Sequence, residues 1–135
     1  MTNFEKAEPL LEEAKWILKE ARRAFKQQAW NLTMRRAQEV VELVLKATLL
    51  AMSVDYPKAH DVGEALGRVL KAKEIPVREK TIRELKEISR KLAAERAPAF
   101  YYESEYSQEE AQQAVKWAEK VMRFGTHMKK RLKGE

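Results

Sequence analysis

Residues 40–52, VVELVLKATLLAM, are the feature that most limits how this chain can fold. On a helix drawn through them, apolar side chains fall on nearly every side. The only charges are Glu42 and Lys46, which stand four residues apart in the order that favours an ion pair on a helix. Such a helix must be covered all round. Residues 31–53 therefore predict the central, most buried helix of an all-α domain.

The other predicted helices each carry one apolar stripe at steps of three and four residues. The first begins near residue 3 or near residue 8 and ends near 27, and the others span about 61–73, 77–94 and 108–131. The short polar link KQQAWN predicts a hairpin between the first two. We expect an antiparallel, up-and-down helical bundle of four long helices plus one short helix. Residues 1–135 would form a single domain with a basic tail at about 126–135.

Local signals set the expected helix ends. Three pairs predict capping boxes, namely Thr2 with Glu5, Asp61 with Glu64, and Ser107 with Glu110. Pro57 and Pro76 are expected to interrupt the helical pattern, and Pro98 to keep residues 95–107 out of helix.

The net charge of +6 is concentrated in two stretches that contain no acidic residue. Residues 22–37 hold Arg22, Arg23, Lys26, Arg35 and Arg36, and residues 123–134 hold Arg123, Lys129, Lys130, Arg131 and Lys133. This placement suits an anion-binding surface. The alternative is that basic residues at helix C-termini only complement the helix dipole.

Most enzyme chemistries lack their residues here. The chain has no Cys, no Gly-rich phosphate loop, and only two histidines, His60 and His127, without metal-ligand spacing. We therefore expect no metal site and no cofactor. His60 is either an acid/base or phosphate-binding group or a local hydrogen-bonding residue, and His127 is expected to face water. Trp16 and Trp117 either line an oligomer interface or widen their helices' apolar stripes.

Residues 95–107, ERAPAFYYESEYS, place Phe100 and three tyrosines beside Arg96 and Pro98. Aromatic faces can stack on bases and an Arg can grip a phosphate. The alternative is that Phe100 and one Tyr plug the end of the bundle while the other tyrosines pack at a dimer seam. If the four long helices alternate, this stretch shares an end with the first hairpin and with Arg35 and Arg36. If the short helix counts as a full crossing, the basic tail lies at the hairpin end instead.

Several pieces of the sequence, taken in order, resemble the HEPN domain. They are MRRAQEVVELVLKATL in the central helix, HDVGEAL after Pro57, and RAPAFYYESEYSQEEAQQAVKWAEKV at the last helix. The resemblance spans about residues 8–125 and rests on Gln38, Glu42, Lys46, Ala47, His60, Asp61, Arg96, Pro98, Tyr101, Tyr106 and Ser107.

The resemblance implies a helical bundle that forms homodimers and associates with nucleotides or RNA. Many relatives are metal-independent RNases that use Arg, four to six residues, then His; others pair with nucleotidyltransferases in toxin–antitoxin systems, where a loop Tyr accepts a nucleotide group. Here Tyr101, Tyr102 and Glu103 stand where that His would fall after Arg96. Tyr is a poor general base at neutral pH, which argues against that RNase chemistry.

The expected function is therefore a HEPN-like module that binds nucleotide or RNA, with a nucleotidyltransferase as a further partner. The candidate binding residues are Arg96, Tyr101, Tyr102, Tyr106, Arg35 and Arg36. The alternatives are an RNase that uses His60 and a plain helical interaction protein. The start, MTNFEKAEPL, lacks a secretion-signal pattern and no window is apolar enough for a membrane span, so we expect a cytoplasmic protein. Few Asn and many Lys and Glu indicate a thermophilic source.

Overall fold

The computed structural model of the protein describes residues 2–134, and within that range it contains helices and no strand. The helices are α1 (Asn3–Lys26), α2 (Trp30–Ala51), α3 (Gly63–Ala72), α4 (Glu79–Ala94), α5 (Arg96–Phe100) and α6 (Gln108–Lys133). The predicted all-α bundle is confirmed. Met1 and Glu135, the first and last residues of the predicted domain, lie outside the described residues.

Helix α2 is the core of the bundle, as its all-round apolar sequence predicts. Val40, Val44, Leu45 and Leu49 are completely buried. The helix packs against α1 and α6 over most of its length and also contacts α3, α4 and α5. Burial of a Val or Leu side chain stabilises a fold by about 1.5–3 kcal/mol, so each of these residues contributes substantially to stability.

Contacts of charged side chains between helices show in which direction each of the four long helices runs. Arg22 pairs with Glu119 at 2.7 Å, and Lys129 pairs with Glu8, so α1 and α6 are antiparallel. Lys120 pairs with Glu84, and Lys91 lies over the ring of Trp117, so α4 and α6 are antiparallel too. The α1–α2 hairpin completes an alternating bundle of α1, α2, α4 and α6.

The short helix α3 does not disturb this alternation. Residues 53–62 run back along α2 until the carbonyl of His60 accepts a 3.5 Å hydrogen bond from Gln38. From there α3 runs antiparallel to α4, with Glu64 3.6 Å from Lys86 and Lys71 3.4 Å from Glu79. The first of the two predicted topologies is therefore correct.

One end of the bundle consequently holds both the first hairpin and the aromatic stretch. Asn31, at the start of α2, donates side-chain hydrogen bonds to the carbonyls of Ala99 and Ser104, each at 3.2 Å. The basic tail lies at the other end, where Lys129 reaches Glu8 and Arg131 donates to the carbonyl of Pro76 at 2.9 Å.

Two local predictions are wrong. Residues 96–100 form the single turn α5 rather than a loop; Pro98 is tolerated because the first turn of a helix needs no backbone donor there. Asp61 and Glu64 do not form a capping box, because α3 begins at Gly63. The backbone donors at its start are satisfied by Ser89 of α4, whose Oγ accepts from Val62 and Gly63 at 3.1 and 3.2 Å, and by Asp61, whose Oδ1 accepts from Gly63 at 3.3 Å.

The other two capping boxes are confirmed. Thr2 with Glu5 caps α1, and Ser107 with Glu110 caps α6, each with both reciprocal bonds. The first helix thus begins at Asn3, and Pro9 lies inside it.

Candidate functional site

An open cleft of about 490 Å³ lies at the hairpin end of the bundle. Its walls come from the first half of α2, from α5 and the end of α4, and from the connector before α3. The residues that line it are Arg35, Arg36, Gln38, Glu39, His60, Ala93, Arg96, Ala97, Phe100 and Tyr101. Four of the six predicted binding residues are among them, together with His60.

The positive charge of Arg36 on the cleft is compensated by two carboxylates. It lies 3.2 Å from Glu20 of α1 and 2.6 Å from Glu39 of α2. Burial lowers the pKa of Arg36, but the two carboxylates outweigh burial and the net shift is upward. Its charge is therefore largely compensated by the protein.

Arg35 and Arg96 are the uncompensated cations. Within residues 2–134, no carboxylate lies within 4.0 Å of either guanidinium group. The guanidinium of Arg35 lies 4.5 Å from the ring centroid of Phe100, a cation–π contact. Arg96 is half-buried, and its buried Nε has no hydrogen-bond partner in the described chain. Two of the three arginines on the cleft, Arg35 and Arg96, thus have no internal counter-ion within the described residues.

The aromatic residues divide into an exposed group and a buried one. Phe100, Tyr101 and Tyr102 are 51%, 68% and 75% exposed, and Phe100 meets Tyr101 edge to face at 4.9 Å. Tyr102 stands in the left-handed region with φ of 55° and is absent from the cleft lining. A non-glycine residue at such a φ angle destabilises the fold by about 1 kcal/mol. The contacts of the surrounding turn must offset that cost.

Tyr106 is the plug of the bundle end. It is buried, and its hydroxyl donates to Glu95 at 2.8 Å. Burial and that bond raise the pKa of Tyr106 to about 12. The alternative interpretation places Phe100 and one tyrosine inside this end of the bundle. It is wrong for Phe100, whose ring is exposed. It is correct for one tyrosine, Tyr106. Tyr106 does not line the cleft.

A polar ladder on α2 supports the floor of the cleft. Glu42 accepts hydrogen bonds from Gln38 at 3.0 Å and from Lys46 at 2.8 Å, and it lies 2.9 Å from Nδ1 of His60. Burial raises the pKa of Glu42, but the three partners outweigh burial and leave it lowered. Glu42 is thus ionised at neutral pH.

The contact with Glu42 fixes the position of the hydrogen on the ring of a neutral His60. Because an ionised carboxylate only accepts, the hydrogen of a neutral His60 lies on Nδ1 and the lone pair of Nε2 is free. His60 is largely exposed and lines the cleft. The spacing of Glu42 and Lys46 predicts their ion pair, but nothing in the sequence links Glu42 to His60, 18 residues away.

The remaining candidates lie away from the cleft. His127 is exposed, as predicted. Trp16 is exposed on α1 and Trp117 is half-buried between α4 and α6. Across residues 2–134 there is no group of three or more His, Cys, Asp or Glu that could hold a metal ion. In the same range no helix is long and apolar enough to cross a membrane.

The family model described as HEPN domain matches residues 7–129, nearly the whole chain. No curated protein and no solved structure matches the chain significantly.

Proposed function

Because the chain belongs to the HEPN domain family, we propose that its cleft binds a nucleotide, free or as part of RNA, through a phosphate group. The observation that carries this proposal is the pair Arg35 and Arg96 on one open cleft without an internal counter-ion. A half-buried guanidinium that lacks a partner is costly, and an anion that enters the cleft removes that cost.

The size and lining of the cleft support a ligand as large as one nucleotide. Its volume of about 490 Å³ falls in the range typical of small-molecule sites. Arg96 and Arg35 would hold the phosphate through charged hydrogen bonds. The exposed ring of Tyr101 offers a face for the base, since stacking of a base on an aromatic side chain contributes about 1–3 kcal/mol.

A calorimetric titration with 5′-AMP and adenosine tests this proposal. We expect AMP to bind at least about tenfold more tightly, because hydrogen bonds to a charged group contribute about 1.5–3 kcal/mol. The difference should shrink as salt rises, since the phosphate contact is electrostatic. Equal affinity for the two ligands, or no binding of AMP, would contradict a phosphate site.

A second candidate function is cleavage of RNA without a metal, and the Glu42–His60 pair favours it. Nε2 of His60 is free to take the proton of a ribose 2′-hydroxyl, whose oxygen then attacks the phosphorus. The bond to the 5′ oxygen breaks, water supplies the proton to that oxygen, and a 2′,3′-cyclic phosphate forms. Arg96 would stabilise the charge on the phosphate.

Incubation of a short RNA with the protein in excess chelator tests this second candidate. We expect 2′,3′-cyclic phosphate ends, and a rate at least about 100-fold lower for His60→Gln, since general bases contribute about 10²–10⁴. Lys6→Gln, at an exposed position of α1 outside the cleft, is the control and should keep the wild-type rate. If the wild-type protein leaves the RNA intact, cleavage is excluded and only binding remains.

Two further partners are proposed on the basis of the family. A second copy would form a homodimer, and a nucleotidyltransferase of a toxin–antitoxin system would modify a tyrosine. The exposed side chains of Tyr101 and Tyr102 are accessible to such an enzyme. A plain interaction protein, the third alternative, would show no phosphate-dependent binding.

A further inference from the structure

The outward side of α6 carries a row of basic residues that the cleft does not use. Lys116, Lys120, Arg123, His127 and Lys130 follow at steps of four, three, four and three, and all five are exposed. At 3.6 residues per turn they fall within an arc of about 80° and extend over about 21 Å. We call these five residues the α6 stripe.

Acidic residues are kept out of the stripe. The only acid between Lys116 and Lys130 is Glu119, which is paired at 2.7 Å with Arg22 on the side that faces α1. Within residues 2–134, no carboxylate lies within 4.0 Å of Lys116, Arg123 or Lys130. Three of the five groups are therefore free to meet an external anion.

The helix dipole does not account for this row. The dipole favours cations only within about the last turn of a helix. Helix α6 ends at Lys133, so Lys116 and Lys120 stand three or more turns before its end. Two other cations near the end of α6 stabilise the fold. Lys129 pairs with Glu8, and Arg131 donates a hydrogen bond to the carbonyl of Pro76.

A shallow groove between α4 and α6 runs beside the stripe. It has a volume of about 530 Å³ and includes Lys80 and Arg83 of α4, Lys120 of the stripe and Trp117. The two acids there are already neutralised, because Glu84 pairs with Lys120 and Glu87 with Arg90 and Lys91. The ring of Trp117 is half-buried, with Lys91 over it, and cations beside an aromatic ring are the combination with which proteins bind single-stranded nucleic acid.

We propose that the α6 stripe and this groove form a second nucleic-acid surface, which holds the backbone of single-stranded RNA or DNA. It shares no residue with the cleft and does not depend on the function proposed there. The occupant is a strand rather than a membrane, because the apolar side of α6 is buried in the bundle and nothing remains to insert into lipid. The ring of Trp117 beside this row favours a strand with bases over an acidic peptide, because bases stack on aromatic side chains.

Fluorescence anisotropy with a labelled 20-nucleotide oligouridylate tests this proposal over a series of salt concentrations. The test variant carries Lys116→Glu, Arg123→Glu and Lys130→Glu. The matched control carries Lys6→Glu, Lys19→Glu and Arg68→Glu, which are exposed residues on α1 and α3 and give the same net charge. Cooperative thermal unfolding, followed by circular dichroism, verifies that each protein is folded.

We expect the stripe variant to bind at least about tenfold more weakly at 0.1 M salt. The slope of log affinity against log salt should flatten by about 2, because each phosphate contact on a single strand contributes about 0.7. The control should stay within about threefold of wild type. An equal loss in both variants would mean that only net charge matters, and an unchanged stripe variant would exclude the surface; either result overturns the proposal.

Two further measurements separate this surface from other partners and from the cleft. Vesicles with about one third phosphatidylserine and a polyglutamate peptide should compete with the oligonucleotide only weakly; stronger binding of either would overturn the choice of nucleic acid. The stripe variant should keep the wild-type affinity for 5′-AMP, because the cleft is intact. Loss of AMP binding in this variant would overturn the separation of the two sites.

Discussion

Replacement of Arg96 by alanine is expected to weaken the binding of 5′-AMP about 10- to 100-fold and to leave the protein folded. The guanidinium lies on the cleft without an internal counter-ion, so its removal deletes a ligand contact and breaks no internal ion pair. Charged hydrogen bonds of this kind contribute about 1.5–3 kcal/mol. Titration calorimetry measures the loss, and a melting curve measures the fold.

Two companion variants sharpen this test. Arg96→Lys keeps the charge but loses the forked geometry of the guanidinium, so its affinity should lie between those of wild type and Arg96→Ala. Arg90→Ala removes an exposed arginine of α4 that pairs with Glu87 and does not line the cleft, and it should bind AMP like wild type. If Arg96→Ala fails to fold, Arg96 is a structural residue and its assignment to the site is wrong.

Replacement of Gly125 by valine is expected to lower the free energy of unfolding by about 3 kcal/mol. A Cβ at this position of α6 would overlap Cγ1 of Val44, which is completely buried in α2. Val44 is stiff about χ1 and has no space to turn into, so α2 and α6 would have to separate. For a chain of this length, the melting temperature should fall by about 10 °C.

Controls on the same helices test the cause of that loss. Gln112→Val places valine at an exposed position of α6 and should change stability by only about 0.5 kcal/mol. Val44→Ala removes the atom that the new side chain would strike. Gly125→Val should therefore be less harmful in a Val44→Ala background than alone, which a double-mutant cycle measures. An unchanged melting temperature for Gly125→Val, or no coupling with Val44, would contradict the close contact of α2 and α6.

The fold could be predicted from the sequence to a large extent because its signals are local. The apolar residues 40–52 identify the core helix, and the capping residue Ser107 identifies where α6 begins. For α1, the capping pair of Thr2 and Glu5 gives one of two possible starts, because Pro9 also allows a start near residue 8. The false capping box at Asp61 shows the limit of such signals. There, Ser89 of another helix accepts from Val62 and Gly63 and donates to Asp61, so a tertiary contact contributes to where α3 begins.

The site was predictable only in part because its residues meet through long-range packing. Arg35, Arg36 and Arg96 come together since residues 53–62 run back along α2, and the sequence left that path open. The bond between Glu42 and His60 depends on the same path. In the aromatic stretch, five residues of α5 are too few to show a helical period. The sequence therefore could not show which of the rings in this stretch faces inward.

The central claim is that the cleft between α2 and α5 is where this protein holds a phosphate-bearing ligand. A titration of isotope-labelled protein with 5′-AMP, followed by amide chemical shifts, tests it most directly. Saturable shifts should concentrate on residues 35–39, 60 and 93–101, which surround the cleft. Saturable shifts confined to α1, α3 or α6, with those three groups of residues unchanged, would contradict the claim.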